Sequence, residues 1–291
     1  MMSVITISRG AYSRGEEVAE RVAQKLGFDC VSREVLVEAS EEFNVPEIKL
    51  LRAIRDAPSI LDRFTFGKER YIAYIQTALL EHFQRDNVVY VGLAGHYFVR
   101  GISHVLKVRI LGKEEDRVEL VMQREHVFEQ AASAMKGISA HDFASQARHR
   151  EMSRDEASHV LERIDEARRK WGLHLYGIDT TDAGQYDLVI HINKLSIDDA
   201  ADVICSAVGL NCFQATADSQ QAMDDLTLAA RVKASLIERH PRVNVAANKG
   251  AVYVALEGGS PSAEKAIQEA VEQIPGVKKI DINLYPFVTP D

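Results

Sequence analysis

The sequence predicts an α/β protein in two units. The larger N-terminal unit is a five-stranded parallel sheet covered by helices on both faces, and the small C-terminal unit is α+β, in the order αββαβ. Three observations carry this. Short apolar runs alternate with long helical stretches up to about residue 210, as expected for parallel strands buried on both faces. Residues 211–224 (NCFQATADSQQAMD) are polar, small and aperiodic, which reads as a linker. Beyond them the pattern shifts to alternation around a turn signal. A length of 291 residues agrees with two domains, with 1–212 as the first, 213–223 as the linker and 224–291 as the second.

The elements follow in order. Val4–Ile7 is the first strand, and Gly10 to Gly15 a polar, glycine-containing loop. Val18, Ala19, Val22, Ala23 and Leu26 then recur at helical spacing until Gly27 stops the helix. Phe28–Val31 is the second strand. Residues 34–85 read as mostly helical, with Ile72, Ile75, Leu79 and Phe83 in one stripe after the break at Pro58. Val88–Val91, Val105–Leu111 and Tyr186–Ile192 are the remaining strands, and helices are expected over 117–124, 154–171 and 197–208. In the second unit a helix carries Leu226, Ala229, Ala230, Leu236 and Ile237. Val243 and Val245 lead through Asn248-Lys249-Gly250 into the alternating Val252, Val254 and Leu256. A helix from Ala263 to Ile274 stops at Pro275-Gly276, and Ile280, Ile282 and Leu284 form the last strand.

Composition narrows the function. The net charge is −8, from 35 basic and 43 acidic side chains, with no block of like charge. Nucleic-acid binding rests on neutralising phosphates, so no nucleic-acid partner is expected. A local basic pocket for a small phosphate is still compatible. The start at Met1 has no basic, apolar leader and no run reaches ~20 apolar residues, so neither a signal peptide nor a transmembrane segment is expected. Cys30, Cys205 and Cys212 are odd in number and lack metal spacing, which reads as reduced thiols of a cytoplasmic protein. The ten histidines are scattered, so no metal site made of protein ligands is expected.

The segment Ser8-Arg9-Gly10-Ala11-Tyr12-Ser13-Arg14-Gly15-Glu16-Glu17 joins the first strand to the first helix. Such a loop points backbone N–H groups and a helix dipole at an anion. Gly10 and Gly15 have the GxxxxG spacing, but Glu16 and Glu17 follow where a phosphate loop has lysine and a hydroxyl residue. An ordinary strand–helix turn, with both glutamates favourable at a helix start, satisfies the same residues.

In order along the chain, residues 1 to about 210 resemble the cytidylate kinase-like family, a branch of the nucleoside monophosphate kinases. The resemblance is carried by Ile5-Thr6-Ile7-Ser8-Arg9 with Ser13, Gly15 and Glu17; by Leu26-Gly27-Phe28 and Ser32-Arg33-Glu34; and by Val89 to Gly95. It continues through Val108-Arg109-Ile110 with Arg117, through Ala157 to Asp165 with Arg168, and through Tyr186-Asp187-Leu188-Val189 with Leu195-Ser196. The resemblance implies a P-loop three-layer α/β/α fold. It also implies phosphoryl transfer from ATP with Mg²⁺ to a nucleotide or another small phosphorylated molecule. By this resemblance Ser8, Arg9, Gly10, Ser13, Arg14, Gly15 and Arg117 bind the nucleotide phosphates or lie beside the base. Arg33, Gly92 and Gly95 lie near the acceptor, and Arg14, Asp165 and Arg168 serve the transfer. Arg14 stands in for the missing cation, and Ser13 offers a hydroxyl to Mg²⁺.

The chain departs from that pattern at Tyr12 and Arg14, where the family has glycines, and at Glu16, Ser32 and Leu93. Two readings therefore stay open: an ATP-dependent kinase, and a nucleotide-binding or regulatory pseudokinase. Residues 148–170 hold seven basic and six acidic side chains, the composition of a salt-bridged helix face and equally of an arginine lid. Asp165 and Arg168, three apart, are placed to pair, and Trp171 reads as core. Residues 225–285 resemble a BON domain, which implies a ligand, lipid or protein partner. With 8 basic and 9 acidic side chains over 223–291, attraction to anionic lipid has little support.

Overall fold

The computed structural model describes residues 3–32, 34–47, 49–50, 67–92, 94–123, 152–257 and 260–285. Its N-terminal unit is built on β1 (Val4–Arg9), β2 (Asp29–Val31), β3 (Val88–Val91), β4 (Val105–Gly112) and β5 (Leu188–Ile192). All pair in parallel in the order β2-β3-β1-β4-β5. The chain leaves β1 towards β2 and leaves β4 towards β5. The winding direction thus reverses between the neighbours β1 and β4, and a crevice opens at their C-terminal ends.

The strands alternate as their sequences require. Ile5 and Ile7 of β1 join Val89, Val91, Leu106, Val108 and Ile110 against α1 (Gly15–Leu26) and α6 (Ile197–Val208). Val4, Val88, Tyr90 and Val105 face the opposite layer, with α2 (Glu34–Glu42), α3 (Gly67–Gln84) and α4 (Gly95–Phe98). The expected stripe Ile72, Ile75, Leu79 and Phe83 is buried there. Residues 114–123 are helical, and α5 (Arg154–Tyr176) lies over the crevice. Three layers around a five-stranded parallel sheet, with a small mixed sheet behind, is the fold class the sequence predicts.

The second unit is α7 (Ala217–Leu236), β6 (Asn244–Asn248), β7 (Ala251–Glu257), α8 (Pro261–Glu272) and β8 (Lys279–Tyr285). β6 and β7 are antiparallel, and β7 and β8 parallel. Here the structure departs from the sequence reading. Residues 217–223, expected within a linker, form the first turns of α7, capped by Thr216, whose hydroxyl accepts from Ser219 N. The reason lies in the two faces of this helix. Met223, Ala230, Ala234 and Ile237 pack into the large unit's core, while Leu228, Val232 and Leu236 pack into the small one's. Two opposed apolar faces leave no single stripe for periodicity to register. Arg231 also reaches Glu81 at 2.6 Å, and Gln84 reaches Asp224 at 2.5 Å. Thr216→Ala is therefore expected to cost about 1 kcal/mol in denaturant unfolding. A cap at the start of a true linker would cost nothing measurable.

Among the described residues, no helix is long and apolar enough to cross a membrane.

Candidate functional site

Helix α5 owes its start to a capping box: Ser153 Oγ accepts from Glu156 N, and Glu156 Oε2 accepts from Ser153 N at 2.9 Å. Its buried Ala157 and Leu161, with Val160 and Ile164 beside them, pack on Ala11, Tyr12, Val118 and Val121, which seats the helix over the loop after β1. Several of its basic side chains make ordinary ion pairs: Arg154 with Glu119 at 2.9 Å, Arg169 with Asp179 at 2.8 Å and Lys170 with Glu166 at 3.5 Å. Arg163 and Arg168 line the crevice instead. Salt-bridged and crevice-lining basic side chains thus occur along the same helix.

The loop keeps a tight curvature without its glycines. Tyr12 and Arg14 take left-handed backbone angles, with φ of 57° and 62°. That costs on the order of 1 kcal/mol each for side-chain-bearing residues. Gly10 N donates to Ile110 O at 3.0 Å, and the buried Ser13 hydroxyl donates to the same carbonyl at 3.0 Å. Ala11 N donates to Asp165 Oδ1 at 2.9 Å. Arg117 Nε donates to Ala11 O at 2.7 Å, and its other arm pairs with Asp165. Arg168 donates to Arg9 O at 3.0 Å and stands 4.0 Å from Asp165. The Asp165 carboxylate thus holds a loop amide and Arg117, with Arg168 at longer range. α1 starts at Gly15 with no side-chain cap, leaving its first-turn N–H groups and positive dipole end towards the crevice.

Two cavities meet here. The larger, about 510 Å³, is lined by Arg9, Arg14, Arg163 and Arg168 against Glu16 and Glu17, four cations to two anions, with Tyr12 and Ile164 among its apolar walls. Arg9 pairs with Glu16 at 2.5 Å, and Arg14 grips Glu17 through two bonds of 2.8 and 2.6 Å. The smaller, about 100 Å³, is lined by Ser8, His96, Tyr97, Arg109, Asp165 and Trp171 among others. Arg9 and Arg168 line both.

Burial pushes the His96 imidazole down to about 3, with Arg109 and Lys107 adding to the effect. Since the unfolded chain takes up this proton near pH 6.5 and the folded one only near 3, stability is full above pH 6.5 and is lost as pH falls through that window. The expected slope is about 1.4 kcal/mol per pH unit. His96→Gln should flatten it in unfolding measured from pH 7 to 4. A variant as acid-sensitive as the parent would exclude His96 as the source.

The residues expected from the sequence separate by place. Arg9, Arg14, Gly15 and Arg168 line the larger cavity, and Ser8, Arg9, Asp165 and Arg168 the smaller. Gly10 and Ser13 of the loop and Arg117 beneath it line neither, with the Arg117 guanidinium tied to Ala11 and Asp165 rather than open to a base. Gly92 and Gly95 also line neither. They pack on the Tyr90 ring, where an added Cβ would stand 2.3 and 2.5 Å from its atoms. Arg33 and Leu93 fall outside the described residues. Trp171 is core as expected, 3% exposed, and also walls the smaller pocket. The sequence reading did not name His96, Tyr97 or Arg109 as site residues, and took in Arg163 only within the arginine-rich segment 148–170, since the groups that make them lining residues come from distant parts of the chain.

The arginines fit a polyanion. Protein ligands for Mg²⁺ do not fit as well: Ser13 Oγ is buried on Ile110 O, Glu16 and Glu17 are ion-paired, and the described residues hold no cluster of three His, Cys, Asp or Glu.

The sequence profile of the cytidylate kinase-like family matches residues 4–152 and 140–194. The chain belongs to this family. The matched span takes in β1 through β5, with α5 and the loop beneath it, so the cytidylate kinase-like unit contains both cavities. It ends before α7, leaving the small unit outside the match. A comparison with curated proteins finds no match. Among solved structures, the chain is similar to an uncharacterized protein from Eubacterium ventriosum at 19% identity and a TM-score of 0.47, covering 71% of this chain and 98% of that one. It is also similar to shikimate kinase from Bacteroides thetaiotaomicron at 13% identity and a TM-score of 0.41, covering 72% and 100%.

Proposed function

We propose that the N-terminal unit binds ATP in the larger cavity, its phosphates over the Gly10–Gly15 loop, and passes the terminal phosphoryl group to a small acceptor of nucleotide or phosphorylated type in the adjoining pocket. The observation that carries this is the sharing of Arg9 and Arg168 by both cavities. Phosphoryl transfer asks mainly for positioning and for positive charge on the equatorial oxygens. A cation at the junction of donor and acceptor sites meets that need. Arg14 and Arg163 neutralise the nucleotide's remaining charge. Mg²⁺ is expected to arrive with the nucleotide, held by phosphates rather than by side chains.

A second reading has its own support: Glu16 occupies the position of the usual lysine and pairs with Arg9, and Asp165 holds the Ala11 amide. On this reading the unit binds nucleotide as a regulatory signal without turnover. Calorimetry with ATP, ADP and CMP, with and without Mg²⁺, followed by a transfer assay over nucleoside monophosphates, separates the two. Turnover supports the first and tight binding without turnover the second, while no binding at millimolar nucleotide removes both. Glu16→Lys is expected to tighten ATP binding roughly tenfold by exchanging a repulsive charge for an attractive one. Unchanged affinity would place the phosphates elsewhere.

For residues 224–291 we propose a BON-like module that recognises a ligand or protein partner, supported by the α, β, β, α, β order from α7 to β8. A cytoplasmic location is supported by Cys30, Cys205 and Cys212, none of them in a disulfide.

A further inference from the structure

Arg109 is a cation without an acidic partner among the described residues inside the smaller pocket, and we propose that it forms a subsite for a phosphate-sized oxyanion carried by the acceptor. This rests on reading the pocket as the acceptor site. Arg109 is half-buried on β4 between the buried Val108 and Ile110. One arm of its guanidinium donates to Tyr186 Oη at 3.0 Å, and Tyr186 in turn donates to Thr180 O at 3.1 Å. Tyr186 is 8% exposed, so it holds the arginine on a rigid support.

The charge around it is unbalanced. Of the other cations in the lining, Arg9 pairs with Glu16 and Arg168 stands 4.0 Å from Asp165. Asp165, the one carboxylate in the lining among the described residues, is engaged by Ala11 N and Arg117. Arg109 makes no ion pair among the described residues; its bond to Tyr186 is to a neutral hydroxyl. A half-buried guanidinium that lacks a counter-charge among the described residues gains more from an arriving anion than a fully solvated one does. Its planar fork has five N–H donors, most still available, in the geometry that grips carboxylate or phosphate in pairs.

The rest of the pocket agrees. His96 stays neutral and brings no competing charge. Tyr97, also in the lining, is 5% exposed, and its hydroxyl has no hydrogen-bond partner among the described residues. The pocket has a volume of about 100 Å³, several times what a single water needs. That is room for one oxyanion at Arg109, and the acceptor extends from it towards Arg9 and Arg168, which line both cavities.

The test titrates inorganic phosphate, and separately acetate, into the full chain and its variants, read by calorimetry and by phosphorus NMR line broadening. Circular dichroism confirms folding, and ADP is titrated in parallel. The parent is expected to bind phosphate, Arg109→Gln to lose at least tenfold in affinity, and Tyr186→Phe, which frees the arginine without removing it, to lose a few-fold. Stronger acetate than phosphate binding with the same dependence on Arg109 assigns the acceptor group as carboxylate. Arg163→Gln, in the larger cavity alone, should weaken ADP and spare phosphate. Phosphate and acetate affinities that are absent in the parent, or equal in parent and folded Arg109→Gln, overturn the subsite. Absent ADP binding with phosphate still dependent on Arg109 overturns the nucleotide reading and leaves the subsite standing.

Discussion

For the proposed phosphoryl transfer, Arg168→Gln is expected to lower kcat/KM by about 10²–10³, the usual cost of removing one preorganised donor from a transition state. Arg168 is the residue of α5 that lines both cavities, and its bond to Arg9 O ties the roof helix to the end of β1. Glutamine keeps much of the length and loses the charge. The fall should lie mainly in kcat, because the equatorial charge develops during transfer, whereas Arg163→Gln should act mainly on nucleotide affinity. Arg168→Lys should restore part of the rate, since it keeps the charge without the fork. The measurement is steady-state kinetics alongside an unfolding curve. A folded Arg168→Gln within threefold of the parent would remove this residue from the reaction.

Asp165→Asn is expected to move two observables in opposite directions. The carboxylate holds Ala11 N and Arg117, so its neutralisation leaves Arg117, 16% exposed, without its counter-charge. Loss of one partner of a buried pair costs 3–5 kcal/mol, and the 36% exposure of Asp165 reduces this to about 1–2 kcal/mol. The same change removes a negative charge from the place where phosphates are expected, and polyanion affinity should rise about tenfold. Unfolding by urea and titration with ADP at fixed ionic strength read the two effects. A variant that is less stable and also binds ADP more weakly would show that Asp165 organises the loop for the ligand rather than competing with it.

The parts of the site legible in the sequence are those encoded by neighbours. Glycine spacing after an apolar strand marked the loop from Gly10 to Gly15. The density of arginines marked the segment containing Arg163 and Arg168, both of which line the larger cavity. Ser13 and Arg117 show the limit of such reasoning. Ser13 sits in the loop and Arg117 beside it in the fold, yet each is turned to a protein partner, Ile110 O for one and Asp165 for the other. Arg109 shows the converse. Within an apolar strand it looks like one of the alternating exposed positions, and only the arrival of Tyr186 from β5's approach and of His96 from α4 makes it the floor of a pocket.

What the sequence determined by itself is the set of strands and most helices, because apolar period, glycine stops and capping residues act within a few positions of one another. The α/β class followed from that order, and the kinase-like fold of the first two thirds from the residues that resemble the cytidylate kinase-like family. The tertiary structure alone decided three things: that α7 is shared between two cores instead of following a linker, that Asp165 occupies the loop amide, and that two cavities meet at Arg9 and Arg168. Each depends on groups up to more than 150 residues apart in the chain, as with Ala11 and Asp165. Burial and charge pairing at that range come from the packing of whole layers, which no local pattern of residues records.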